Sequence, residues 1–560
     1  MPHTQGVRIA LAAGPGPTGP LRRLQDDGTP DGPSEYASDL TAAVAAAEAV
    51  GQIRWVWRSG RLLYPRLLGA GVRVRRCHDT ELVGSLLQAA GASPEPSGAA
   101  PGQDTPQPSG AGQAQLEFES AACDPAAELA ALIDVHASQL ACVWADAAPA
   151  RFALLAAAES AGGLAAAEMS AAGLPWRADV HDRLLNSLLG SRPPVTAGPS
   201  LRPARLSELA AQISAALGAA RPVNPDSPAQ LRRALAAGGV RVPSTRSAVL
   251  REIDHPVIPL LLEYKELARL HSANGWSWLD AWVSGGRFRP EYVVGGVVSG
   301  RWASRGGGAL QIPRVLRQAV VADPGWVLVV ADAAQLEPRV LAALAGDRSF
   351  ARAAAQGDVY AAVAAAIGSD RATAKVALLS AMYGGSGGDD RQSLALLRRR
   401  FPEAAAYVES AARAGEEGRV VRSVLGRTCP APSAAWRELT FDSGDPETER
   451  DPGAGAAARA RGRFTRNYVV QASAADWALV MLAALRTLLA AAPRSPPVPL
   501  SELVFFLHDE VIVHCPVSQR DQVVAAIEAA AAEATRLVFG PTEVSFPMTT
   551  SVVDCYADAK

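Results

Sequence analysis

Two aspartates sit where an apolar chain would not ordinarily place a charge. Asp332 closes the run Val327–Ala331, and Asp509 lies within Leu503–Cys515, in the tripeptide His508-Asp509-Glu510. A carboxylate in such a run is costly to bury unless it is paired or meets a cation. Either one alone is most simply a strand end reaching solvent. Together they suggest a place where carboxylates converge on hard cations such as magnesium. Two ions held in this way can activate an attacking oxygen and stabilise a departing one during phosphoryl transfer.

A second group supplies positive charge. Arg371, Lys375, Leu379 and Tyr383 are spaced four apart, ahead of Gly384, and at about 3.6 residues per turn they form one helical stripe. Its cations could meet a triphosphate and its aromatic end a base and sugar, with Lys375 protonating a departing pyrophosphate. Lys265, Lys375 and Lys560 are the only lysines in a chain otherwise given to arginine. A retained internal lysine is a candidate for giving up a proton, which arginine does not do. Alone, the stripe is more simply a solvated helix face capped by a core tyrosine.

Arg463, Asn467 and Gln471 are again four apart. Donors on one helix face suit the duplex minor groove, where acceptors recur in every base pair. Arg301, in Ser299-Gly300-Arg301, could add a cation near the same duplex. Asp332-x2-Gln335-x-Glu337-x-Arg339 carries a second acid beyond the first, and Glu337 with Arg339 reads most simply as helix-start electrostatics plus a surface ion pair.

The elements that must position these residues are those of a large soluble protein. At 560 residues, 49% apolar and 20% charged, the chain predicts several domains and a sizeable core, not disorder or a disulfide scaffold. Six scattered cysteines without a C-x-x-C pair fit a reduced cytoplasm and offer no zinc module. The N-terminus lacks a signal-peptide pattern. The most apolar stretch, Trp477 to Ala492, is interrupted by Arg486 and reads as a buried helix too short to span a bilayer. VRIAL and IRWVW predict strands near the N-terminus, and Leu40 to Val50 a helix. Residues 91–114 read as a flexible Pro/Gly/Ser-rich loop, and 441–462 as a second low-complexity insert. Residues 204–272 and 348–436 read as mainly helical. GWVLVVADAAQLEPR predicts a buried strand entering a helix, and LVFFLHDEVIVHCP a strand pair.

In this order the motifs resemble the polymerase region of family A DNA polymerases. DAAQLEPR (332–339) is similar to the family's D-Y-S-Q-I-E-L-R, RATAKVALLSAMYG (371–384) to R-x3-K-x3-F-x3-Y-G, and HDE (508–510) matches the third motif. SGRWAS with LQIP (299–313) resembles T-G-R-L-S-S with L-Q-N-I-P. VNPDSPAQL, STRSAVLREI and LLEYKELARL resemble the thumb, and RNYVVQASAADW (466–477) the helix of the minor-groove glutamine. The resemblance covers roughly residues 152–560.

It implies an α/β and α+β multidomain protein, with a right hand over 151–560. The thumb would lie at about 204–272, the palm at 280–345 and 472–560, and the fingers at 346–471. Asp332, Asp509 and the Ala333 backbone carbonyl would hold two magnesium ions, with Glu510 beside them. Arg371, Lys375, Tyr383, Gln335, Leu379 and Tyr360 would meet the incoming dNTP, and Glu337 would gate against a ribose 2′-OH. Arg301, Arg463, Asn467, Gln471 and His508 would contact primer–template DNA. A monomer acting at the nucleoid, in repair or gap filling and away from membranes, is expected.

Departures accompany the matches. Leu379 stands where Phe or Tyr is usual, which leaves less stacking on the sugar. Ala333-Ala334 replaces Tyr-Ser, and Pro338 replaces Leu. Tyr360 stands where many members have a phosphate-contacting His, and the segment from it to Arg371 is short. Residues 1–150 more faintly resemble the RNase H-like 3′–5′ exonuclease domain of the same family. Asp79, in CHDTELVGSLL, would be its second acidic motif, but VRIALAAGPG lacks the D-x-E pair and no Y-x3-D follows. A remnant without proofreading is expected, and no 5′-nuclease domain. Alternatives are a residual exonuclease, a phage-type RNA polymerase sharing the R-x3-K-x7-Y-G helix, and a non-catalytic DNA-binding remnant.

Overall fold

The computed structural model describes residues 7–14, 16–92, 124–194, 202–305, 311–355, 357–384, 390–441, 452–491 and 500–559. Beyond Ala92, the stretch read as a flexible loop lies outside them. The N-terminal unit is a five-stranded sheet. Arg8–Leu11 pairs antiparallel with Gly19–Leu24 and parallel with Arg54–Trp57, which pairs parallel with Arg76–Asp79, and Glu35–Ala37 completes the far edge. The helix Leu40–Val50 starts at Asp39, whose side chain accepts from the Ala42 amide. Trp55, Trp57, Tyr64 and Leu67 fill the core beneath it.

The helix Pro149–Ala172 joins this sheet to the rest. It is rich in Ala and Gly, so neighbours approach closely: a Cβ on Gly162 would come within 2.8 Å of the Leu479 side chain. The second sheet is four-stranded and antiparallel, in the order Glu502–Leu507, Glu510–Pro516, Trp326–Ala333, Met548–Val553. Its two central strands are apolar on both faces, and every residue of Glu510–Pro516 is buried. Helix Arg520–Phe539 packs beside it, and Pro452–Ala491 packs on that helix and on Pro149–Ala172. The helices Ala204–Ala216, Pro228–Ala237, Ser247–Arg251 and Val257–Asn274 form a separate bundle, and Arg348–Ala355, Val359–Ile367, Arg371–Tyr383, Asp390–Arg400 and Pro402–Glu416 another.

Two expectations are corrected. The insert assigned to 441–462 is helical from Pro452 onward, in one 40-residue helix running to Ala491. Its Ala and Arg content favours helix, and the glycines that suggested a loop do not outweigh it. Trp477 to Ala492 is therefore not an isolated short helix. Among the described residues, Pro125–Trp144, Pro149–Ala172 and Gly453–Ala491 are each long and apolar enough to cross a bilayer. In the latter two, 61% of the most apolar window is buried within the protein itself.

Candidate active site

The end of the four-stranded sheet gathers the acids. Asp332 lies opposite Glu510 in the antiparallel register, and the Ala333 amide donates to the Asp509 carbonyl at 3.0 Å. Leu507 pairs with Glu510, so His508 and Asp509 form a two-residue hairpin turn. The strand pair expected here is thus present, with Asp509 at its hairpin tip. The turn carries none of the usual Gly, Asn-Gly or Pro punctuation. Instead His508 takes a left-handed conformation, φ 59°. Gln335, at φ 56°, is the other non-glycine residue with positive φ among the described residues. Strain of about 1–3 kcal/mol at each is therefore concentrated beside the two aspartates.

Glu510 is 5% exposed and accepts a hydrogen bond from the Tyr556 hydroxyl. Burial, and then the adjacent carboxylate, hold that phenol above its usual range, so it remains a donor. The Arg317 guanidinium covers the Tyr556 ring at 4.5 Å. Neither residue carries a sequence signal that sets it apart.

The facing wall is the helix Arg371–Tyr383. Asp370 caps it, accepting from the Ala372 and Thr373 amides at 2.9 and 3.0 Å. Arg371 and Lys375 are exposed, while Leu379 and Tyr383 are partly buried. The helix ends at Gly384, φ 76°, where a Cβ would lie 3.0 Å from the Arg463 side chain. Glu337 joins the two walls, because it receives both the Tyr383 hydroxyl and the Arg301 guanidinium. Arg301, expected along the duplex, here faces this acid. Burial, followed by the nearby Arg301 charge, lowers the His508 imidazole pKa. A cavity of about 170 Å³ lies between these groups, lined by Arg301, Glu337, Tyr360, Leu379, His508 and Asp509 among others.

A larger cleft, about 1610 Å³, opens beside it between Trp302, His508 and Tyr556 and the helical bundle's Arg205 and Glu263. The face of Arg463, Asn467 and Gln471 belongs to the long helix. Arg463 is exposed, the other two are partly buried, and Ala474 and Ala475 of the next turn line the smaller cavity.

Two buried arginines were missed or misread. Arg339 is fully buried, not a surface ion-pair partner. It donates to the carbonyls of Ala334, Ser545 and Gly357 at 2.8, 2.9 and 2.7 Å, and to that of Ala354. It thereby ties the start of helix Leu336–Ala345 to the segment before helix Val359–Ile367. Arg427 lies between Glu159 at 2.9 Å and Asp476 at 3.0 Å, with all three side chains nearly inaccessible. Burial works against its charge, but the two carboxylates hold the guanidinium protonated. Gly300, φ 84°, packs directly on it: a Cβ there would fall 2.3 Å from Arg427 Nε. The triad thus braces the turn that presents Arg301. Asp476, an acid within an apolar helix, carried the same signal as Asp332 and could have been found by the same argument.

The donor set near the sheet end is all oxygen, which suits a hard cation. Among the described residues no three His, Cys, Asp or Glu side chains gather as a complete cage. Two carboxylates on adjoining strand ends instead fit magnesium that takes its remaining ligands from water and substrate phosphates. In the N-terminal unit, Asp79 is 2% exposed and its oxygens accept from the Gly60 and Leu82 amides at 2.6 and 3.1 Å. Burial raises its pKa to about 6. The first strand, Arg8–Leu11, carries no acid.

The model of DNA polymerase family A matches residues 201–553. The chain belongs to DNA polymerase family A. Among relatives of this family, the thermostable DNA polymerase I of Thermus filiformis is 27% identical over 306 residues, 49% of this chain and 34% of that protein. The DNA polymerase I of Chloroflexus aurantiacus is 29% identical over 218 residues, 33% of this chain and 23% of that protein. The chain therefore spans about a third or less of the curated relatives' lengths. In fold it is similar to the POL domain of Pol1 from M. smegmatis in complex with DNA primer-template and dNTP. The TM-score is 0.69 at 18% identity, covering 99% of this chain and 96% of that one.

Proposed function

We propose that this family A member is a template-directed DNA polymerase that adds deoxynucleotides to a primer 3′-OH, in repair or gap filling. The observation that carries the reading is the placement of Asp332 and Asp509 at one end of the sheet, with Asp509 across a cavity from Leu379 of the helix that carries Arg371 and Lys375. Family membership and the similarity to a polymerase domain bound to primer-template and dNTP support it. On this reading the four-stranded sheet with the long helix's C-terminal half is the palm, the bundle at 204–274 the thumb, and the helices between Arg348 and Arg463 the fingers.

Asp332, Asp509 and the Ala333 carbonyl would hold two magnesium ions. When bound, these lower the cost of the charge that develops on the attacking and departing oxygens. The protein's own work is positioning and electrostatics. Arg371 and Lys375 neutralise the triphosphate, and Lys375 is placed to give a proton to the departing pyrophosphate. Arg463, Asn467 and Gln471 offer minor-groove donors, and the larger cleft, with His508 at its edge, would receive the duplex. Gln335, Leu379 and Tyr383 bound the nucleotide pocket, and Glu510, held by Tyr556, keeps the hairpin tip in register.

Glu337 would close the site to a ribose 2′-OH, with Tyr383 and Arg301 fixing its carboxylate. Parallel extension with deoxy- and ribonucleotides tests this. Wild type should prefer dNTPs by at least about 10³-fold, and Glu337→Ala should lose at least about tenfold of that ratio, since it removes the clash together with the contacts to Tyr383 and Arg301 that aim it. Equal use of both nucleotide types would favour the RNA-synthesising alternative.

The N-terminal unit is proposed to be an RNase H-like remnant. Its mixed sheet, antiparallel at one end and parallel at the other, is consistent with that fold, and Asp79 serves the backbone as a helix cap. Two-metal hydrolysis needs several carboxylates. Incubation with a mispaired 3′ end should release no nucleotides above the background of a reaction without protein. Robust release abolished by Asp79→Ala would overturn this.

A further inference from the structure

Tyr360 occupies the first turn of helix Val359–Ile367, is 8% exposed, and presents its ring to both triphosphate-side cations. The Arg371 guanidinium lies 5.6 Å and the Lys375 ammonium 5.8 Å from the ring centroid. Both distances fall within cation–π range, where the negative face of the ring attracts positive charge. Arg371 is held from the side as well, its Nε donating to Asp358 Oδ2 at 2.7 Å.

That carboxylate is itself held by further hydrogen bonds. Its Oδ1 accepts from the Tyr360 amide at 2.9 Å, the Ala361 amide at 3.2 Å and Gln335 Nε2 at 2.8 Å. Burial opposes its ionisation, but the Arg371 and Gln335 hydrogen bonds prevail and hold its pKa at about 2. Gln335 Oε1 accepts from the Val359 amide at 2.8 Å, and Arg339 grips the Gly357 carbonyl. The turn carrying Asp358 and Tyr360 is therefore fastened to the segment that follows Asp332. A long, exposed arginine at a helix start would otherwise sample many rotamers, and ordering it costs entropy when a ligand arrives.

We propose that Tyr360 is a positioning residue: its ring is a platform that, with Asp358 as a lateral post, pre-orders Arg371 and Lys375 toward the triphosphate. This role asks nothing of its hydroxyl. The ring acts through the two cations, so loss of its face weakens nucleotide capture more than the chemical step. This inference rests on the reading of Arg371 and Lys375 as nucleotide contacts.

Single-nucleotide insertion kinetics on a saturating primer–template duplex, with magnesium and the complementary dNTP, test it using Tyr360→Leu, Tyr360→Phe and Arg371→Ala. Tyr360→Leu should raise KM about fivefold, equivalent to about 1 kcal/mol at about 1.4 kcal/mol per decade, with kcat within about twofold. Tyr360→Phe keeps the aromatic face and should recover the wild-type KM. Duplex Kd, measured on the same preparations, should match wild type in both, and so should the thermal midpoint of Tyr360→Phe. A wild-type KM in Tyr360→Leu, or a Tyr360→Phe as impaired as Tyr360→Leu, overturns the platform. Arg371→Ala separates the layers. If it leaves KM unchanged, the nucleotide-contact reading itself fails. If it raises KM while Tyr360→Leu does not, only the platform fails.

Discussion

Asp332→Asn should abolish primer extension, lowering kcat by at least about 10³-fold, or about 4 kcal/mol of activation free energy, while duplex Kd should stay within about twofold. The substitution is nearly isosteric and sits at the end of a strand whose register is set by backbone pairing along Trp326–Ala333. The fold therefore has no reason to change. What disappears is a negative oxygen from the cation-binding set, where charge is worth most. Asp509→Asn should behave alike. The double variant should be little worse than either single one, because residues acting on one site are not additive. Rapid-quench measurement of a single insertion, beside a fluorescence anisotropy titration of duplex, checks both halves. Retained extension in either single variant contradicts the assignment.

Arg427→Met should be the most destabilising single change away from the acids, by about 3–5 kcal/mol. Removing the guanidinium strands Glu159 and Asp476 in the interior without a cation. The cost is thus dominated by two desolvated carboxylates and not by a lost contact. Replacing all three together, as Glu159→Leu, Arg427→Met and Asp476→Leu, should cost less than Arg427→Met alone, since no uncompensated charge remains. Urea unfolding at constant pH measures the comparison. A triple variant less stable than the single would show that the triad contributes through its geometry instead. Because Gly300 rests on Arg427, partial loss of Arg301 placement should accompany Arg427→Met, seen as reduced discrimination against ribonucleotides in the folded fraction.

Much of the site was legible because its chemistry is carried by residue types that conflict with their surroundings. Asp332 and Asp509 are acids at the ends of apolar runs, and Arg371, Lys375 and Tyr383 follow a helical period that the observed helix reproduces. The strands Arg8–Leu11 and Arg54–Trp57 and the helix Leu40–Val50 were legible from alternation and periodicity. What stayed hidden depends on distant parts of the chain. Nothing local marks Tyr556 as the partner of Glu510, Arg427 as the partner of Glu159 and Asp476, or Arg339 as buried, since each is defined by groups far away in sequence. The strand pair around His508-Asp509 was legible, but the left-handed backbone of its turn was not, because a histidine stands where turn chemistry would favour glycine. The helix from Pro452 was obscured by glycines that mimic a loop composition.

The most direct test is crystallographic: a ternary complex with dideoxy-terminated primer–template, an incoming complementary dNTP and manganese in place of magnesium, with anomalous scattering recorded. Two peaks about 3.5–4 Å apart are expected, both contacted by Asp332 and Asp509, with the triphosphate extending toward Arg371 and Lys375. A bound nucleotide whose metal peaks avoid either aspartate would contradict that expectation.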